Sequence, residues 1–386
     1  MLLAQGKEVA LRRRATESGA AAGPSHAGRC GVRVEHGTFR CRRGYDLYTT
    51  TFTPPVRRSP CCLVFHHGLS DHSARHRQVL AYLCAEVGIP VYTYDAHGHG
   101  RSGPDTGYEA RALVLKYEHL LDDLLDFTRQ VVLVKEAAAG TGAGPAAAAV
   151  AAAAASVGDA GCGSGPASAS ASSTASAATS APASKPRVFL LGYSMGGLVS
   201  SLAVAATTPP QDPHDPSQPG TSNLYAGLML TSALTDALHS KRGPVVRAIL
   251  RAYVWLLAWF VPEQPLFHRN ALGEGIRDPA ALAETAADPL WYRGKFKVGT
   301  IAALAAGCSR LQASTPLLTV PIFTQHATQD VACDLSTMQA HLARLSTKDL
   351  TFHVVEGGFH DLHHDPETPR LLPRMAEWLK ARVEPY

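Results

Sequence analysis

The chain has 386 residues, 46% of them hydrophobic, enough to bury the core of one large α/β domain that also carries insertions. A formal net charge of +4, with no stripe of lysine and arginine interleaved with aromatics, argues against a nucleic-acid partner. Eight cysteines without a C-x-x-C pair point to reduced thiols in a cytosolic or organellar setting and not to a disulfide framework.

Residues 1–31 fit folded structure poorly. Leu11-Arg12-Arg13-Arg14 followed by Ala, Ser and Gly reads as a transit segment or a disordered arm, and no apolar core of signal-peptide length suggests secretion. From residue 32 to 386 the pattern is that of a single α/β domain. Strands are expected at 32–39, 46–52 and 61–66, a helix near 73–87, a strand at 89–94 and a long helix near 111–134. That order implies a mostly parallel central sheet flanked by helices. Between 137 and 185 the chain dissolves into Ala, Gly and Ser, a low-complexity inserted loop that cannot bury a core. A second polar, proline-rich insert is expected at 207–223.

The apolar run Val188-Phe189-Leu190-Leu191 leads into Gly192-Tyr193-Ser194-Met195-Gly196 and then a helix-like stretch. Strand, G-x-S-x-G and helix together read as a nucleophile elbow, with glycine at both ends of a turn too sharp for larger residues. A serine hydroxyl is a weak nucleophile, so a histidine must take its proton and an acid must orient that histidine, in the order serine, acid, histidine. The strand candidate at 320–324 delivers Asp330, the expected acid. Its rival Asp334 fits better as the cap of a helix starting near Leu335. The next strand candidate, 350–355, is followed by His360, the expected base. His363 and His364 read as a solvated polar turn before the last helix, and His353 as a face position in its strand. For the oxyanion of a tetrahedral intermediate the expected donors are the backbone N–H groups of Met195 and of Leu69, in the loop His67-Gly68-Leu69.

Residues 245–261 hold an uncharged run of ten, 252–261, too short to span a bilayer. Arg247 and Arg251 lie four apart, and Trp255 and Trp259 extend the stripe toward an interfacial position. These tryptophans are candidates for a face that both lines an acyl tunnel and rests on a lipid surface. No metal site is expected from His97-Gly98-His99 or from His360, His363 and His364, which lack a carboxylate at ligand spacing. The H-x4-D pattern of His66 and Asp71, used by some lipid acyltransferases, overlaps the oxyanion segment and reads as chance.

With these residues placed, the chain resembles the monoglyceride lipase branch of the α/β-hydrolases, including plant monoacylglycerol lipase and caffeoylshikimate esterase relatives. The segment from His67 to His76, His-Gly-Leu-Ser-Asp-His-Ser-Ala-Arg-His, is similar to HGxGEHSxRY, and Asp95 to Ser102 to DxxGHGxS. Leu191 to Gly197 is similar to LGHSMGG, and Asp288 to Lys295 to the plant-type DPLxYxGK. The departures include Ser70 for glycine, Asp71 for glutamate, Tyr193 for histidine and Ala327 for the glycine of an HGxxD loop. The resemblance implies an α/β-hydrolase fold with a helical cap inserted over 235–317. It further implies a cofactor-free serine esterase that cleaves monoacylglycerol to glycerol and fatty acid, peripheral contact with a membrane or droplet, and a cytoplasmic or organellar setting. Lysophospholipase or caffeoylshikimate-type activity is the nearest alternative, with an acyltransferase or an inactive lipid-binding scaffold behind it. Cys333, at a position where some animal relatives carry cysteine, is a candidate regulatory thiol.

Overall fold

The computed structural model describes residues 31–103, 107–140, 186–209, 223–239, 243–267 and 272–384. The expectations for 1–30, 141–185 and 210–222 lie outside the described residues. Eight strands, β1 (Arg33–Arg40), β2 (Asp46–Thr53), β3 (Cys62–His66), β4 (Val91–Tyr94), β5 (Val188–Tyr193), β6 (Tyr225–Thr231), β7 (Ile322–Ala327) and β8 (Leu350–Val355), form one sheet in the order β1-β2-β4-β3-β5-β6-β7-β8. β2 pairs antiparallel with β1 and β4, and every pairing from β4 to β8 is parallel. The α-helices longer than one turn are α1 (Arg77–Val87), α2 (Tyr117–Phe127), α3 (Leu133–Gly140), α4 (Met195–Thr207), α5 (Pro244–Phe260), α6 (Pro279–Ala287), α7 (Val298–Ser314), α8 (Leu335–Leu342) and α9 (Thr368–Lys380).

Period-two alternation decides which helix each strand residue meets. Along β5, Val188 and Leu190 enter the cluster with α2, α4 and α7, whereas Phe189, Leu191 and Tyr193 enter the one with α1 and α9. Both faces of the inner parallel strands are therefore buried, which explains their continuous apolar runs, whereas β8 at the sheet edge is half-exposed.

The helix expected over 111–134 forms differently. It starts at Tyr117, widens over Thr128–Val132, where Thr128 Oγ1 bonds Leu124 O at 2.8 Å and Tyr225 Oη at 3.1 Å, and continues to Gly140. The helical turn thus claims residues 137–140, assigned above to the low-complexity loop. Within 235–317, α7 packs into the main core through Leu304, Cys308 and Leu311, while α5 meets the body mainly through Leu250 and Val254. No described helix is long and apolar enough to cross a membrane.

Candidate active site

Ser194 sits at the junction of β5 and α4 with φ 54° and ψ −118°, a left-handed conformation that an L residue adopts only when its surroundings enforce it. The enforcement is steric: a Cβ on Gly196 would lie 2.0 Å from His66 O, so the elbow closes against β3 with no room for a side chain. Ser194 N–H donates to Thr231 O at 3.1 Å and its carbonyl accepts from Leu234 N–H at 3.0 Å.

Three of the expected residues meet in series. Ser194 Oγ lies 3.0 Å from His360 Nε2, and His360 Nδ1 lies 2.8 Å from Asp330 Oδ2. Asp330 Oδ1 accepts from the N–H groups of Ala332 and Cys333 at 2.9 and 2.8 Å, which locks the carboxylate plane. With Asp330 accepting at Nδ1, His360 carries its proton there and offers the lone pair of Nε2 to the serine. Burial lowers the His360 pKa, but the Asp330 carboxylate, aided by Asp361 and Asp71, outweighs it and holds the pKa above the ordinary value.

Leu69 and Met195 both border the cavity over Ser194, and neither backbone N–H donates a hydrogen bond among the described residues. The loop carrying Leu69 is held from three sides. His67 accepts Ala96 N–H at Nε2 (2.9 Å) and bonds Gly68 O from Nδ1 (2.8 Å), while Ser70 O accepts Tyr292 N–H at 3.1 Å. Ser70 has φ 66°, which accounts for glycine being the residue of the resembling pattern there. The cavity has a volume of about 200 Å³, and its walls include Leu234, Ile276, Phe296, Ile301 and Leu304.

Asp334 caps α8, its side chain accepting Ser336 N–H at 2.8 Å, and takes no part in the site. His353 lies on its strand with its ring against Phe323. Cys333 borders the cavity as a buried thiol, its pKa pushed up first by burial and then by Asp330. His66 is buried with Nδ1 on His67 O and its pKa pushed down to about 3 by burial, and Asp71 bonds other partners, so the two do not act as a pair. His97 packs on Tyr45, and among the described residues no group of three or more His, Cys, Asp or Glu is placed to hold a metal ion.

Two expectations need correction. His363 is not in a solvated turn: it is 3% exposed, stacks on Tyr193 and bonds His76 and Thr231. Its neighbour His364 is half-buried and bonds Asp361 and Arg75 O. The run Asp361-Leu362-His363-His364 turns inward because Leu362 fills a small core with Ala327 and Val355, a contact that polar composition conceals. Trp255 and Trp259 do not border the cavity. They are 65% and 78% exposed on α5, whereas Arg247 and Arg251 reach Asp236 at 3.6 and 3.9 Å. Four residues overshoot a helical turn by about 40°, so a stripe of spacing four drifts about 120° from Arg247 to Trp259 and leaves the inner face. The sequence assigns no role to Arg75, His76 and Asp361, whose side chains are buried beside the site; Arg75 and His76 are visible there only as members of the oxyanion-loop pattern.

A family model described as "Serine aminopeptidase, S33" matches residues 59–140 and 171–367. Caffeoylshikimate esterase of Arabidopsis thaliana is 29% identical over 211 residues, 54% of this chain and 59% of that protein, so the match spans less than two thirds of its length. Monoacylglycerol lipase of Mycolicibacterium smegmatis is 24% identical over 355 residues, 91% of this chain and 99% of that one. Among solved structures, a soluble variant of monoglyceride lipase from Saccharomyces cerevisiae in complex with a substrate analog superposes with a TM-score of 0.63 at 14% identity, covering 92% of this chain and 96% of that chain.

Proposed function

The chain belongs to the serine aminopeptidase S33 family, and we propose that within it this protein is a carboxylic ester hydrolase that cleaves monoacylglycerol to glycerol and a free fatty acid. One observation carries the reading: Ser194, His360 and Asp330 are bonded in series beneath a cavity with mainly aliphatic and aromatic walls. His360 accepts the Ser194 proton as the hydroxyl attacks the ester carbonyl, and the N–H groups of Leu69 and Met195 receive the oxyanion. The alcohol leaves with the proton from His360, and water then repeats the sequence on the acyl-enzyme. An ester fits this cavity better than a peptide with a free amino terminus. The carboxylate beside His360, Asp361, is already committed to Arg75 and His364.

The outer face of α5 supports contact with a lipid surface. Val245, Ile249, Tyr253, Leu256, Trp259 and Phe260 are all exposed on it, an apolar patch of the kind that marks a membrane-facing helix. Six buried free cysteines among the described residues suit a reducing compartment.

The test is release of glycerol and fatty acid from 2-oleoylglycerol by wild type and Ser194→Ala, with lysophosphatidylcholine and caffeoylshikimate in parallel. Serine-dependent release from the monoacylglycerol is expected. Turnover of another ester alone would refute the substrate, and no turnover of any would refute the enzyme.

A further inference from the structure

On the sheet face that carries α1 and α9, a chain of buried polar side chains runs beneath the oxyanion loop, and the hydrolytic steps do not use it. His76 is bonded at both ring nitrogens, Nε2 to Asp71 Oδ2 at 2.6 Å and Nδ1 to His363 Nδ1 at 2.8 Å. His363 Nε2 then reaches Thr231 Oγ1 at 3.2 Å. The second oxygen of Asp71 accepts from Arg75 and from His72 N–H, at 2.9 and 2.8 Å.

The proton positions follow from these partners. Two nitrogens in contact share one proton, and burial lowers the pKa of both imidazoles, so both stay neutral. Asp71 accepts only, so His76 donates from Nε2 and accepts at Nδ1 from His363, which in turn accepts from the Thr231 hydroxyl. Every link then has one defined direction.

Both ends of the chain lie close in sequence or by one backbone bond to the residues that carry the oxyanion donors. Asp71 follows Leu69 by two residues, and Thr231 O accepts the N–H of Ser194, next to Met195. Tyr193 is wedged alongside, its ring 5.1 Å from His76, 5.3 Å from His363 and 5.4 Å from His360. It also packs under the loop, where a Cβ on Gly68 would lie 3.1 Å from the ring.

The patterns HGxGEHSxRY and LGHSMGG carry Glu, Tyr and His at positions 71, 76 and 193, where this chain has Asp, His and Tyr. An imidazole and a phenol have changed places between two side chains in contact, and the acid is shorter where the imidazole comes to meet it. We propose that this is a compensated exchange in which His76 is a positioning residue, holding the Leu69 N–H in register with that of Met195 through Asp71, His363 and Thr231. The inference rests on the esterase reading of the site.

The experiment compares His76→Tyr, Tyr193→His and the double variant with Asp71→Glu added in hydrolysis of a short-chain nitrophenyl ester and in fluorophosphonate labelling of Ser194. Misplaced oxyanion donors weaken the transition state more than substrate binding, so each single change is expected to lower kcat about tenfold or more with KM within about twofold. The double variant with Asp71→Glu added is expected to recover to within about threefold of wild type, because all three positions then carry the residues of the two patterns. Losses that multiply in this combined variant, or that fall on KM, would overturn the proposal. If the single variants do not fold, Thr231→Val removes the terminal hydroxyl, which also accepts from Gln325 Nε2 at 3.2 Å, and an unchanged kcat would overturn it equally. A wild type without serine-dependent turnover defeats the esterase reading, whereas normal wild-type turnover with multiplicative losses defeats only the exchange.

Discussion

Asp330 holds His360 with one carboxylate oxygen, 2.8 Å from Nδ1, and is itself held through the other by the backbone N–H groups of Ala332 and Cys333. The acid is thus fixed by main chain before it fixes the base. Asp330→Asn keeps the shape but loses the charge that sets the imidazole tautomer. It is expected to lower kcat by about four orders of magnitude with KM little changed, measured as serine-dependent ester turnover. A loss under tenfold would show that another group orients His360.

The raised pKa of His360 sets the acid limb of activity. The base must be neutral to take the serine proton, so kcat/KM is expected to fall as pH drops through a midpoint above the ordinary 6.5. At pH 5.5 it should be below about a tenth of its plateau. The protonated form is favoured in the fold, so the stability His360 adds is present below 6.5 and is lost as pH rises through the raised value. A rate profile with its acid midpoint below 6 would contradict the assignment.

Ser70 combines a positive φ of 66° with a buried hydroxyl that has no partner among the described residues. Ser70→Gly relieves the backbone strain and removes the unsatisfied group, against a smaller entropic cost in the unfolded chain. The net gain is expected to be about 1 kcal/mol, read as a higher midpoint in thermal or denaturant unfolding.

Replacing Trp255 and Trp259 together by serine is expected to weaken binding to neutral phosphatidylcholine vesicles by about tenfold or more, since two large exposed aromatics are lost. Hydrolysis of a soluble short-chain ester should not change, because neither side chain borders the cavity. Vesicle binding unchanged in a flotation assay would remove α5 as the lipid contact.

Alkylation of Cys333 is expected to disturb the loop that fixes Asp330 and to lower activity, with Cys333→Ala insensitive to the reagent. Burial holds the thiol protonated, so inactivation should be slow near neutrality and accelerate as pH rises. Equal sensitivity of wild type and variant would place the reactive thiol elsewhere.

What the sequence discloses here depends on periodicity. The strands carrying Cys62, Val188 and Ile322 are legible because both of their faces are buried, and Ser194 and Asp330 can be placed because each follows such a strand, whereas His360 follows the half-exposed edge strand β8 and is placed by the required order of serine, acid and base. The inward turn of His363 is not legible, since its burial depends on Tyr193 and His76, far away in sequence. The drift of Trp255 and Trp259 away from the inner face follows from helix geometry alone and was within reach of the spacing. The widened turn after Phe127 is where Thr128 meets Tyr225 of β6, 97 residues away in sequence, information held by no local window.

The neutral imidazoles packed beside the site also make the stability of the fold depend on pH. His66, His76 and His363 all keep pKa values below the ordinary one in the fold, so an unfolded chain binds protons there that the folded chain refuses. Their contribution to stability is present above about pH 6.5 and is lost as pH falls, the opposite sense to His360. Acidification therefore weakens the chemistry and the fold together, the first by protonating His360 and the second by favouring the unfolded chain, which binds the extra protons. The same burial that orders the oxyanion loop makes the fold less tolerant of acid.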